Sequence, residues 1–89
     1  MWRLTNGQQL IHRAWDEQYV VFNDVSGDTH LLGELAFAVL QELAAAPAGP
    51  AALHDRMRER LQLSEEEMAA IDLPELINSL RQLHLVEPV

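Results

Sequence analysis

The residues that could do chemistry are few. Ser26, Asp28 and His30 are the types a nucleophilic relay needs, yet they fall within five positions of one another, on one turn and the strand after it. Alternation along a strand sends neighbours to opposite faces, so this spacing does not deliver a serine–histidine–acid relay. His12, His30, His54 and His84 form no short paired spacing of the kind that holds zinc, and there is no cysteine to complete such a set. The lack of cysteine also excludes disulfides, thiolate metal sites and a cysteine nucleophile, and is compatible with a reducing compartment. Neither a catalytic residue, a metal site nor a cofactor is expected.

Charge narrows the partners. All six basic residues are arginines, set against 14 acids, for a net charge of −8. A nucleic acid would approach against that field, so nonspecific DNA binding is disfavoured. Arg56, Arg58 and Arg60 resemble a DNA-reading cluster, but Asp55 and Glu59 interleave with them at helical ion-pair spacing, which makes a solvated face. Glu65, Glu66 and Glu67 suit the positive end of a helix. The N-terminal residues lack the apolar core of a signal peptide, and no apolar run approaches the roughly 20 residues that span a bilayer. The expectation is a soluble, cytoplasmic protein without membrane contact.

At 89 residues, 48% hydrophobic and 22% charged, the chain has the balance of one small globular domain, residues 1–89. Ile11, Arg13 and Trp15 alternate with Leu10, His12 and Ala14, and Tyr19 to Phe22 is aromatic and β-branched. Strands are therefore expected at about 9–15 and 18–23, joined at Asp16-Glu17. Asp24-Val25-Ser26-Gly27 reads as a hairpin loop of three to four residues. A third strand at about 28–32 follows, and its order in the chain leaves the first and third strands as edges unless the segment around Trp2 to Leu4 pairs with one of them.

The period then lengthens. Leu35, Val39, Leu40 and Leu43 predict a helix over about 34–46, which stops at Pro47-Ala48-Gly49-Pro50. Leu53, Met57 and Leu61 carry a second over about 50–62. Ser64 and Glu67 form a capping box that opens a third over about 64–84, broken near 72–74 by Asp72 and Pro74. The fold class is α+β: a three-stranded antiparallel sheet followed by three helices.

That order, with the run Trp15-Asp16 through Val20-Val21-Phe22-Asn23 to Ser26-Gly27-Asp28-Thr29-His30-Leu31-Leu32, resembles the PqqD-like peptide chaperones, the recognition elements for ribosomally made, modified peptides. The likeness covers nearly the whole chain and is narrowest to the subgroup encoded beside a kinase related to HPr kinase. It implies a winged-helix-like fold with no enzymatic activity of its own. It also implies a precursor (leader) peptide that adds as a strand beside the third strand, in the groove against the last helix, for presentation to a modifying enzyme. The residues this assigns to peptide binding are Asp28, Thr29, His30, Leu31 and Leu32 on the strand, and Leu76, Ile77, Leu80, Arg81 and His84 on the helix. Edge addition is physically apt, since main-chain bonds give affinity and alternate side-chain pockets give selectivity.

The partners so implied are a client peptide and a co-encoded enzyme, with an HPr kinase-related protein as one candidate. The alternatives are a winged-helix DNA-binding regulator, or a domain that uses the same edge to form a homodimer or dock on a larger enzyme. Thr29 and Leu31 share one face of the strand, His30 and Leu32 the other. His30 is read either as a peptide contact or as a surface histidine bonded to Asp28 or Ser26. Trp15 is expected to pack over the first helix, with an exposed interface anchor as the alternative, and Trp2 to lie in a segment open to exchange or partner binding.

Overall fold

The computed structural model describes all residues from 1 to 89. In chain order the elements are β1 (Trp2–Leu4), β2 (Leu10–Trp15), β3 (Gln18–Asn23), β4 (Thr29–Gly33), α1 (Glu34–Ala45), α2 (Pro50–Leu61), α3 (Glu65–Ala69), α4 (Leu73–Gln82) and β5 (Val86–Pro88). The class is α+β, with an antiparallel sheet in the order β2-β3-β4 and four helices. Two features depart from the expectation. The third helix is two helices, α3 and α4, separated by Ala70–Asp72, and a second sheet pairs β1 with β5.

Local chemistry explains the main sheet. A two-residue turn joins β2 to β3, and Asp16 there has φ +57°. Two-residue hairpins require positive φ at their first central position, and aspartate tolerates it better than most residues. The next loop closes when Asn23 N–H donates to the Asp28 carbonyl (2.8 Å) and Gly27 N–H to the Asn23 carbonyl (2.8 Å), with Gly27 at φ +81°. Asn23 is itself buried, and its Oδ1 accepts from the amides of Val25 (3.0 Å) and Ser26 (3.2 Å). A short polar side chain thus stands in for backbone partners that the loop lacks.

One face of this sheet lies on α1. Val21 and Leu32 are buried in the core, and Tyr19 stacks on Phe37 with ring centroids 3.9 Å apart and planes 8° from parallel. Phe37, Ala38, Val39, Leu40 and Leu43 are all buried. Leu53 and Met57 from α2, Met68 from α3, and Leu73, Ile77 and Leu80 from α4 close around them as a single cluster. The Ser64–Glu67 capping box is present, with Glu67 N–H donating to Ser64 Oγ (3.1 Å) and Ser64 N–H to Glu67 Oε1 (3.2 Å).

Trp2, expected in a segment open to exchange or partner binding, is held within the molecule. Its N–H donates to the Ala48 carbonyl (2.8 Å) and its carbonyl accepts from Ala48 N–H (3.0 Å), while β1 pairs Trp2 with Pro88, Arg3 with Glu87 and Leu4 with Val86. The Arg81 guanidinium sits 5.7 Å from the Trp2 ring centroid, within cation–π range. Trp15 does the reverse of what was expected: it is 67% exposed and does not pack over α1. The two tryptophans should therefore differ in stability effect. Trp2→Ala is expected to cost about 2 kcal/mol in urea denaturation, and Trp15→Ala less than about 0.5 kcal/mol.

Candidate functional site

β4 pairs only with β3, so its other side is a free edge. The bond from Asn23 N–H to the Asp28 carbonyl sets the alternation of the ladder. In an antiparallel pair, every second residue exchanges bonds with its neighbour strand. His30 opposite Val21 and Leu32 opposite Tyr19 therefore turn their backbones to β3. The peptide groups of Thr29 and Leu31 and the N–H of Gly33 turn outward unpaired, whereas the Gly33 carbonyl, at the N-cap of α1, opens the helix. At the far end, where the chain turns into α1, a Cβ built on Gly33 would meet no atom within 4 Å.

The side chains divide as the sequence requires. His30 and Leu32 face the helices, half-buried and buried respectively; Thr29 and Leu31 face away and are exposed. Leu31, 58% exposed, shares the outer face of the sheet with Val20, Phe22, Ile11 and Trp15. No element packs on that face.

At the start of β4 an open concavity of about 310 Å³ brings Ser26, Asp28 and His30 together with Leu83 and His84. Two devices shape it. On one side, Gln8 bridges the hairpin to the α4 end, its Nε2 donating to the Leu85 carbonyl (2.9 Å) and its Oε1 accepting from Asn23 Nδ2 (3.4 Å). On the other, α4 ends in a Schellman motif: His84 N–H donates to the Arg81 carbonyl (2.9 Å) and Leu85 N–H to the Leu80 carbonyl (3.0 Å), with His84 at φ +61°. Leu80 and Leu85 are fully buried and supply the hydrophobic contact such motifs carry.

The residues expected to bind on the last helix do not form one surface. His84 lies in the concavity, but Leu76 is half-buried and Ile77 and Leu80 are core residues, as is Leu32 on β4. Arg81 is exposed on a different side, where it shares a cavity of about 280 Å³ with Trp2, Pro50 and Pro74. The strand-to-helix groove is therefore confined to the C-terminal end of α4, where Leu83 joins it unforeseen. His30 makes no hydrogen bond to Asp28 or Ser26; instead Ser26 Oγ accepts from Asp28 N–H (3.2 Å), an ordinary turn bond.

The strand order implies the other edge, β2, but not the groove beside it. β2 turns the backbones of Leu10, His12 and Ala14 outward, and a groove of about 480 Å³ runs beside it, lined by Leu4, Leu10, His12, Phe37, Leu40 and Ala44. His12 and Phe37 rings lie 4.9 Å apart at its floor. The period-2 pattern placed Leu10 and His12 on one face, but only the packing of α1 set Phe37 beneath them.

The arginines of α2 are engaged, though not with Asp55 and Glu59. Arg58 pairs with Glu65 (3.0 Å), Arg60 with Glu42 (3.6 Å) and Gln41 (2.8 Å), and Arg56 donates to the Ala46 carbonyl (3.1 Å). These bonds tie α2 to α1 and to α3. No group of three or more histidine, aspartate or glutamate side chains is gathered to hold a metal ion, and no helix is long and apolar enough to cross a membrane. In comparisons with known proteins, no family model, curated protein or solved structure matches the chain.

The left-handed backbone of His84 gives a stability test separate from binding. His84→Val, a β-branched residue at positive φ, should cost about 1–2 kcal/mol. His84→Gly should hold or raise the urea midpoint, because glycine adopts this conformation without strain.

Proposed function

We propose that the protein is a noncatalytic peptide-binding chaperone that holds an extended client by strand addition along β4 and presents it to a modifying enzyme. The observation that carries this reading is the unpaired edge of Thr29, Leu31 and the Gly33 N–H, which opens at one end into the concavity of His30, Leu83 and His84. An added strand would complete those peptide groups, and its side chains would alternate between Leu31 on the outer face and His30 on the inner. The order of strands and helices agrees with the winged-helix-like fold of PqqD-like chaperones, and the Ser26 to Leu32 run that resembles that family supplies the edge. An HPr kinase-related enzyme is the partner that resemblance suggests.

A DNA-binding regulator is the weaker proposal, since Arg56, Arg58 and Arg60 are committed to contacts within the molecule. A second peptide reading has a specific observation in its favour. The β2 edge lies beside the larger groove along α1, and an extended chain there would direct alternate side chains over Phe37 and Leu40.

Amide NMR with peptides encoded by short reading frames beside the gene separates these readings. Shifts confined to Thr29–Gly33 and Leu83–His84 are expected for the β4 edge; shifts at Leu10–Ala14 and Phe37–Ala44 would move the site to β2. Proline variants add a direct check. Thr29→Pro and Leu31→Pro remove N–H groups that point away from β3, so the fold should survive while binding falls at least about tenfold. Ala14→Pro, at the opposite edge, should bind normally. A folded Leu31→Pro protein that binds as well as the wild type would sink the β4 reading.

A further inference from the structure

We propose that the client of the β4 edge is an extended peptide with an apolar centre and a basic residue at each end, about six residues apart. This rests on the strand-addition reading, and goes further by assigning the chemistry of the ligand. The site is the free edge and its apolar outer row; the charges around it select what comes to it.

Residues 16–35 contain five acids, Asp16, Glu17, Asp24, Asp28 and Glu34, and no arginine or lysine. All five are exposed, and none forms an ion pair, whereas Glu42, Glu65 and Glu87 each meet an arginine. Four of them follow the strand. Asp28 lies at its beginning; Glu34 follows its last residue, and the register of Gln18 opposite Gly33 brings the Asp16-Glu17 turn to that same end, while Asp24 sits on the β2 side, its N–H donating to the Gln9 carbonyl. Between them, Leu31 stands exposed in one cross-strand row with Val20, a row that ends two strands from the edge at exposed Arg13, and half-buried Phe22 lies next to it opposite Thr29.

An incoming strand is therefore met by negative charge at both ends and apolar surface in the middle. From Asp28 to Glu34 is six residue steps, about 20 Å of extended chain. Cations at that spacing on a peptide would reach both acidic ends at once, while a large apolar residue midway would cover Leu31. The same charges oppose edge-to-edge pairing with a second copy of this strand, because the acids of one copy would meet those of the other.

The test uses the whole chain, isotope-labelled, and short acetylated and amidated peptides that share the centre Thr-Val-Leu-Val-Thr and carry either lysine or glutamate at both ends. At low ionic strength the lysine-ended peptide should shift the amides of Thr29–Gly33 and bind about tenfold tighter than the glutamate-ended one, a gap that closes as salt is raised. The combined variant Asp16→Asn, Glu17→Gln, Asp28→Asn and Glu34→Gln should keep its spectrum and lose the preference. Equal binding of both peptides at β4, or a preference that survives neutralisation, overturns the charge assignment and leaves strand addition standing. If neither peptide moves the β4 amides, both the assignment and the reading beneath it fail.

Discussion

Four consecutive residues of α1, Phe37 to Leu40, are buried, and consecutive residues of a helix point about 100° apart. A helix apolar on so many sides cannot lie on a surface and must be wrapped. The sheet covers one side through Tyr19, Val21 and Leu32; α2 and α4 cover others through Leu53, Met57, Ile77 and Leu80. The N-terminal strand completes the enclosure, tied by Trp2 to Ala48 on one side and by β1–β5 pairing on the other. Each element has its position because α1 needs to be covered there.

The cost of that arrangement falls on the sheet. Every helix is committed to the face that holds α1, so the opposite face, with Ile11, Trp15, Val20 and Leu31, has no covering layer. Three strands with no closure also leave two edges. The residues 89 in number suffice for one core and little else. An open edge invites further pairing, and the two edges differ in how that invitation is qualified. Acids stand near both ends of each edge strand, but β2, with Asp16-Glu17 at one end and Asp24 beside Gln9 at the other, also carries Arg13 and runs beside the groove along α1.

Much of the local structure was legible. The Asp16-Glu17 turn, Gly27 in the second loop, Pro50 at the start of α2 and the Ser64–Glu67 box each act through bonds to residues a few positions away, so their signals lie in short stretches of sequence. The assignment of Thr29 and Leu31 to one face and His30 and Leu32 to the other is equally local, since strand alternation alone decides it. The break in the last helical stretch was also visible in Asp72 and Pro74, which restart the chain as α4 after the short α3. The arginines of α2 mislead for the opposite reason. Asp55 and Glu59 are near them in sequence, but Glu42 and Glu65 are brought nearer by packing.

The sequence by itself determined the α+β class, the two hairpins and the division of β4 into one face with Thr29 and Leu31 and another with His30 and Leu32, because alternation, turn residues and caps are short-range physics. Which of those faces turns inward was decided by packing on α1. Only the tertiary structure decided that β1 and β5 pair, since strands of three residues more than 80 positions apart carry no local signal of their partnership. It also decided that Trp15 is exposed and Trp2 is held, a distinction that depends on where other elements run out of surface to cover. The candidate site divides the same way. Its strand was readable from residues 28–32, but the opposing wall reduces to Leu83 and His84, because packing on α1 consumed Ile77 and Leu80 and turned Arg81 toward Trp2.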